Sequence, residues 1–339
     1  MRIRADRDER RRLRVPWPLV FALVLLGSFL VIAYMAASYA VYDTLSATTG
    51  ECHPDDVANT PEHFSASGLD DAETAPYAMP APQDITFHSR DPQIAGLTLR
   101  GWWIPGRTAT GPSVILVHGV KSCRRDENVL MPAGMLHRHG FGVLLIDLRD
   151  HGDSDDEDLR FAGGTEEYLD VLGAWDWLAA QGVPKDRIGI LGMSFGAATT
   201  VIAGGEEPGV RAVWEDSSFA DMDEAIRDYL AHEGYPTILA PGGELAARIV
   251  AGDDLTSKSP LLEIPHYAGR PLAIVHGDAD TLLSPHYAEE LRDAAVASGV
   301  DLREFWLVPG MEHTRAVVEE RVAYEPRLID YFTGTLGTP

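Results

Sequence analysis

Arg187-Ile188-Gly189-Ile190-Leu191-Gly192-Met193-Ser194-Phe195-Gly196-Ala197-Ala198 sets a short apolar run ahead of a serine with a glycine two residues to either side, followed by small residues suited to a helix start. A strand entering a sharp turn and leaving as a helix has this pattern, and the Gly-x-Ser-x-Gly turn lifts its serine out of the sheet. The glycines are required because a side chain at 192 or 196 would collide with the neighbouring strand or helix. The first amides of the following helix point at the space in front of the hydroxyl, where negative charge develops in acyl transfer. Gly-x-Ser-x-Gly also occurs as a plain turn. Its meaning therefore depends on whether a carboxylate and a histidine follow in the right order.

At 339 residues, with hydrophobic residues at 45%, the chain has room for one large α/β domain and an appendage. A net charge of −24 speaks against a nucleic-acid partner, because phosphate backbones select clustered Lys and Arg. Cys52 and Cys123 are the only cysteines, and no histidines stand at zinc-ligand spacing from them. A domain outside the cytoplasm would permit a Cys52–Cys123 disulfide, although the sequence does not set their separation.

Seven arginines crowd positions 2–14, and no charged residue then occurs from Val15 to Tyr42. About 20 residues of helix cross a bilayer core, so residues 15–42 are expected to form one membrane span. Trp17 at one end and Tyr34, Tyr39 and Tyr42 towards the other suit the two interfaces, and the basic tail 1–14 places the N-terminus in the cytoplasm. The lipid bilayer is thus an expected partner, with the remainder of the chain outside. A signal peptide cut near Ser38-Tyr39-Ala40, giving a secreted protein, is the competing reading. Residues 43–84, rich in Pro, Asp, Glu, Ala and Ser, read as a tether that lies on the domain or spaces it from the bilayer.

From 85 onward strands and helices alternate. Ile85–His88 and Leu97–Pro105 read as an antiparallel edge, and Ser113–Val117, ending in His118-Gly119, as a strand buried on both faces. Leu130–His139 reads as a helix, Gly142–Asp147 as a strand, Gly164–Ala180 as a helix, and Ala212–Asp216 as the strand after the serine turn. Residues 219–262 break the rhythm with helical pieces interrupted by Gly234, Pro236 and Pro241-Gly242, and read as a small cap over the cleft. Leu272–Gly277 is a further strand with Asp278 and Asp280 at its carboxyl end. Leu302–Val308 is the last strand, with His313 in the loop beyond it and a terminal helix near 315–332. The expected fold is α/β, with a mainly parallel sheet covered by helices on both faces. Functional groups gather at the carboxyl edge of such a sheet. Ser194, Asp280 and His313 follow in the order Ser, acid, His. His118, just before a glycine on a buried strand end, reads as structural. The acidic run 153–158 lacks the alternating ligands of a calcium loop.

Taken together, Val117-His118-Gly119, Asp147-Leu148-Arg149-x-His151-Gly152-x-Ser154, Gly192-x-Ser194-x-Gly196, His276-Gly277-x-x-Asp280 and the late His313 make the chain resemble the α/β-hydrolases, and within them the BEM46/ABHD13-like serine hydrolases. The resemblance implies Ser194 as nucleophile, Asp280 as acid and His313 as base, and favours Asp280 over its neighbour Asp278. Asp150 departs from the pattern, which has glycine there, and this leaves the local loop shape open. The oxyanion loop His118-Gly119-Val120-Lys121 lacks the Gly-Gly-Gly of hormone-sensitive-lipase relatives, which by analogy suits unhindered esters.

The chemistry expected is ester cleavage through an acyl-enzyme on a small-molecule acyl substrate. His313 takes the Ser194 proton, Asp280 fixes the imidazole tautomer, and the amides of Val120 and Phe195 hold the oxyanion. No metal or organic cofactor is called for. A peptidase, an acyltransferase or a thioesterase uses the same residues, and a silent binding module is the alternative from another class.

Overall fold

The computed structural model describes residues 16–339; the basic tail 1–14 and residue 15 lie outside them. One eight-stranded sheet organises the domain. Its strands are β1 (Gln83–Phe87), β2 (Leu99–Ile104), β3 (Ser113–Val117), β4 (Gly142–Asp147), β5 (Ile188–Met193), β6 (Ala212–Asp216), β7 (Pro271–Gly277) and β8 (Asp301–Val308), in spatial order β1-β2-β4-β3-β5-β6-β7-β8. β1 and β2 pair antiparallel at the edge, β2 also runs antiparallel to β4, and all later pairs are parallel.

The near-continuous apolar runs are explained by which side each residue faces. Ile115, Val117, Leu144 and Ile146 face one core, while Val114, Leu116, Val143 and Leu145 face the other. The first core is closed by α3 (Tyr168–Ala180), α4 (Phe195–Glu206) and α7 (His286–Ser298). The second is closed by α2 (Glu127–Arg138) and α8 (Arg321–Leu336). α2 starts earlier than its apolar period suggests because Asp126 caps the Asn128 amide. α3 starts later, at Tyr168, because Gly163 and Gly164 both take positive φ. The terminal helical stretch is split at Glu320 into Ala316–Glu319 and α8.

Residues 219–262 hold α5 (Met222–His232) and α6 (Ala240–Val250), joined by a stretch exposed from 233 to 238 that ends in a 3-10 turn at Thr237–Leu239. The N-terminal apolar helix α1 runs Trp17–Ser46, four residues beyond the expected span. Its last turns rest on this segment, where the Tyr34 hydroxyl donates to the Ile238 carbonyl at 2.8 Å, and on the loop before α3, where Arg160 pairs with Asp43 at 2.5 Å. Gly242 allows the approach, since a Cβ there would overlap the Ser38 hydroxyl. The segment after α1 lies on the domain, with Phe64, Tyr77 and Met79 buried. Cys52 and Cys123 are joined in a disulfide, Cα–Cα 5.2 Å, which ties this segment to the loop after β3.

Candidate active site

Ser194 sits between β5 and α4 at φ 56° and ψ −121°, a conformation that L residues rarely adopt. Close packing enforces it. A Cβ at Gly196 would run into the carbonyl oxygens of Val117 and His118, and one at Gly192 into the Gly196 carbonyl and the Thr200 hydroxyl. The turn is pinned from β6, where Asp216 C=O accepts the Ser194 amide at 2.8 Å.

The loop after β8 brings His313 to the serine, with its Nε2 2.7 Å from Ser194 Oγ. The other ring nitrogen, Nδ1, is 2.6 Å from Asp280 Oδ2. Asp280 is buried, and its Oδ1 accepts the amides of Leu282 and Leu283, each at 2.9 Å. Burial alone would raise its pKa; hydrogen bonds from His276 and His313, together with the backbone amides, outweigh burial and hold it well below the usual carboxylate range. Asp278, two residues earlier, is exposed, and its Oδ1 accepts the Gly310 amide at 2.6 Å. Of the two neighbouring acids, one meets the histidine and the other braces the base of the histidine loop.

Val120, Ser194 and Phe195 line one cleft. Among the described residues, neither the Val120 nor the Phe195 amide has a hydrogen-bond acceptor, so both remain available to a ligand. Phe195 opens the twelve-residue α4, whose dipole adds partial positive charge there. A Cβ at Gly119 would stand 3.4 Å from Ser194 Cβ, an ordinary contact. Its glycine keeps the space before the hydroxyl clear but is not demanded by a clash.

Two buried histidines shape the loop after β3. His118 Nδ1 donates to Gly119 C=O at 2.7 Å while its Nε2 accepts the Leu148 amide at 3.1 Å, and burial pushes its pKa down to about 3. It is a neutral strut. His151 does the same for Lys121, accepting its amide at 3.2 Å, and Lys121 takes a φ of 56°. Asp150 adopts φ 61° where the pattern has glycine, and its Oδ1 accepts the amides of Glu157, Asp158 and Leu159. Asp tolerates the left-handed region, and those bonds hold the loop.

The site includes residues the sequence did not single out for it. His276, fully buried, places Nε2 2.8 Å from the Leu283 carbonyl and 3.2 Å from Asp280 Oδ2, so the acid has two imidazole partners. Glu215 lies behind it; burial pushes its pKa up to about 8 against the opposing influence of His276. Ser217, at φ 64°, donates to Asp216 at 2.8 Å and accepts the Thr314 amide at 3.3 Å, which steadies the backbone beside His313. Tyr324 donates to the other Asp216 oxygen at 2.8 Å. Only the position of His276 four residues before Asp280 hinted at any of this. Among the described residues, Glu224, His286 and Glu290 cluster closely enough to ligate a cation, but they do not line the cleft.

The cleft, about 250 Å³, runs from Ser194 between α5, α6 and the end of α1. Its walls are largely apolar, including Phe161, Phe219, Met222, Ile226, Leu230 and Leu255.

The family model described as the prolyl oligopeptidase family matches residues 132–338. Over 292 residues, the chain is 23% identical to the uncharacterized protein YfhR of Escherichia coli strain K12, covering 84% of this chain and 87% of that one. Among solved structures, the Pyrococcus furiosus esterase Pf2001 superposes with a TM-score of 0.61 at 21% identity, covering 81% of this chain and 97% of that one. The acylaminoacyl peptidase of Pyrococcus horikoshii superposes at 0.57 with 16% identity, over 76% of this chain and 42% of that one. At these identities the structural likenesses speak to the α/β-hydrolase fold.

Proposed function

The chain belongs to the prolyl oligopeptidase family and is a serine hydrolase, and from that premise we propose that it is a membrane-anchored carboxylic ester hydrolase working through Ser194, His313 and Asp280. The observation that carries the triad is the unbroken chain of contacts from Ser194 Oγ to His313 Nε2 at 2.7 Å and from His313 Nδ1 to Asp280 at 2.6 Å. His313 takes the hydroxyl proton as Ser194 attacks the ester carbonyl. Asp280 keeps the remaining proton on Nδ1 and stabilises the imidazolium. The amides of Val120 and Phe195 hold the tetrahedral oxyanion, a contribution of about 3–4 kcal/mol per donor in comparable sites. The proton then passes to the leaving alcohol, and water activated by the same imidazole releases the acid.

The apolar cleft supports an ester with a hydrocarbon acyl part, selected by the cap at 219–262. The BEM46/ABHD13-like affiliation belongs to the same proposal, supported by the His118-Gly119 and Asp147–Ser154 segments. The disulfide supports an oxidising compartment for the domain, and hence a cytoplasmic N-terminus. A retained anchor is favoured over a cleaved signal because Ser38, Val41 and Tyr42, on both sides of the proposed cut, are buried in the folded protein.

A peptidase is the second reading, favoured by the family match and by the likeness to an acylaminoacyl peptidase. A fluorophosphonate probe on the full chain tests the nucleophile: labelling is expected to disappear in Ser194→Ala, and persistent labelling would remove Ser194 from its role. Turnover of matched ester, amide and thioester substrates then ranks the readings, and a preference for the amide would replace the ester hydrolase with the peptidase.

A further inference from the structure

The end of the membrane helix is also a wall of the active-site cleft. Val41, Tyr42, Leu45 and Ser46 of α1 line the same cavity as Ser194, facing Leu239, Ala240 and Gly243 of the cap. A simple tether would have no reason to complete a substrate pocket.

The length of α1 fixes where this pocket stands relative to the bilayer. From Phe21 to Ala33 every residue of the helix is exposed, and Tyr34 is the first to bond the cap. The stretch from Trp17 to Ala33 is about 25 Å long at 1.5 Å per residue. The hydrocarbon core is about 30 Å thick. A helix that spans it carries apolar lipid up to the level of Tyr34 and just beyond, and any tilt brings lipid further along the helix. At that level the cap presents Tyr235, 40% exposed, and Ile238, 72% exposed, on the loop whose next residues line the cleft. An apolar and an aromatic side chain standing free there suit a bilayer interface.

We propose that the substrate is a long-chain acyl ester drawn from the membrane leaflet on the domain's side, its hydrocarbon chain lying between α1, α5 and α6 and its carbonyl at Ser194. This rests on the ester-hydrolase reading and adds the source and class of the substrate. The loop at 235–238 dips into the interface, the apolar walls accept the chain without exposing it to water, and the released fatty acid leaves by the same route.

The test uses the full-length protein in phosphatidylcholine vesicles, with p-nitrophenyl palmitate embedded in the bilayer and p-nitrophenyl butyrate added from water. The palmitate ester should be turned over with at least tenfold higher kcat/KM. Leu45→Trp, which fills the cleft from α1, should shift the ratio towards butyrate by a similar factor. Ile238→Asp should lower palmitate turnover in vesicles severalfold while leaving butyrate turnover and palmitate turnover in detergent micelles unchanged. Equal or better use of butyrate, with a ratio insensitive to Leu45→Trp, would overturn the membrane-lipid proposal and leave the hydrolase standing. So would an Ile238→Asp effect that is the same in micelles and vesicles. Failure of the wild type to cleave either ester would instead overturn the ester reading beneath it.

Discussion

Exchanging Asp280 for asparagine should disable the enzyme without unfolding it, while the same exchange at Asp278 should do little. Oδ1 of Asp280 is held by two amide donors, Leu282 and Leu283, each at 2.9 Å. An asparagine must present its carbonyl oxygen to them, because turning its NH2 group there would set three donors against one another. The NH2 group then faces His313 Nδ1, which is 2.6 Å from the present carboxylate oxygen. The imidazole can pair with it only by moving its own proton to Nε2, the atom 2.7 Å from Ser194 Oγ. A protonated Nε2 cannot accept the hydroxyl proton. The corresponding exchange in a Ser-His-Asp triad lowers turnover by about 10⁴, equivalent to about 5 kcal/mol of transition-state stabilisation. At Asp278 the asparagine oxygen can still accept the Gly310 amide, and an exposed substitution of this kind changes rates by about twofold. The assay is kcat and kcat/KM on p-nitrophenyl butyrate, with circular dichroism and thermal melting to show that both variants are folded. Equal or greater damage from Asp278→Asn, or more than a tenth of wild-type activity in folded Asp280→Asn, would refute the assignment.

Burial holds His118 neutral, with its folded pKa near 3 against 6.5 when exposed, so the stability it contributes is complete above pH 6.5 and declines as pH falls towards 3. Urea unfolding across that window should show a pH slope smaller by about 1.4 kcal/mol per unit in His118→Asn, and an unchanged slope would mean that the group is already charged in the fold. Gly196→Ala should cost several kcal/mol or prevent folding, because its Cβ meets fixed backbone oxygens, whereas Gly119→Ala should melt within a few degrees of wild type. Similar melting temperatures for the two would contradict the packing at the serine turn. Reducing the Cys52–Cys123 bond frees a loop with a sequence separation of 71, and loop entropy puts the loss at about 4 kcal/mol. Denaturation with and without reductant measures it, with Cys52→Ser expected to match the reduced protein.

Much of this molecule can be read from short-range patterns. Apolar runs bounded by turn residues marked the strands, because a strand buried on two faces has no polar side to interrupt it. The glycines at 192 and 196 identified the serine turn, since their constraint comes from atoms within one strand–turn–helix unit and the strand beside it. The order of Ser194, Asp280 and His313 pointed to the site because the carboxyl edge of a parallel sheet collects loops from distant parts of the chain. Local signals failed where loop conformation, not the apolar period, set the backbone. The Gly163-Gly164 turn delays α3, and Asp150 replaces glycine at a left-handed position by bonding three amides.

Asp278 and Asp280 are chemically identical, and where only the resemblance favoured Asp280, the tertiary structure shows which of them the loop turns towards His313. It also paired Asp280 with His276, joined the two cysteines across 71 positions, and laid α1 against α6 and the loop before it. An apolar run of this length specifies that a helix seeks a nonpolar environment, but not how much of that environment is lipid and how much is protein. That division depends on which side chains of α6 are small enough to let the helix approach, a property of two surfaces meeting rather than of either sequence segment alone.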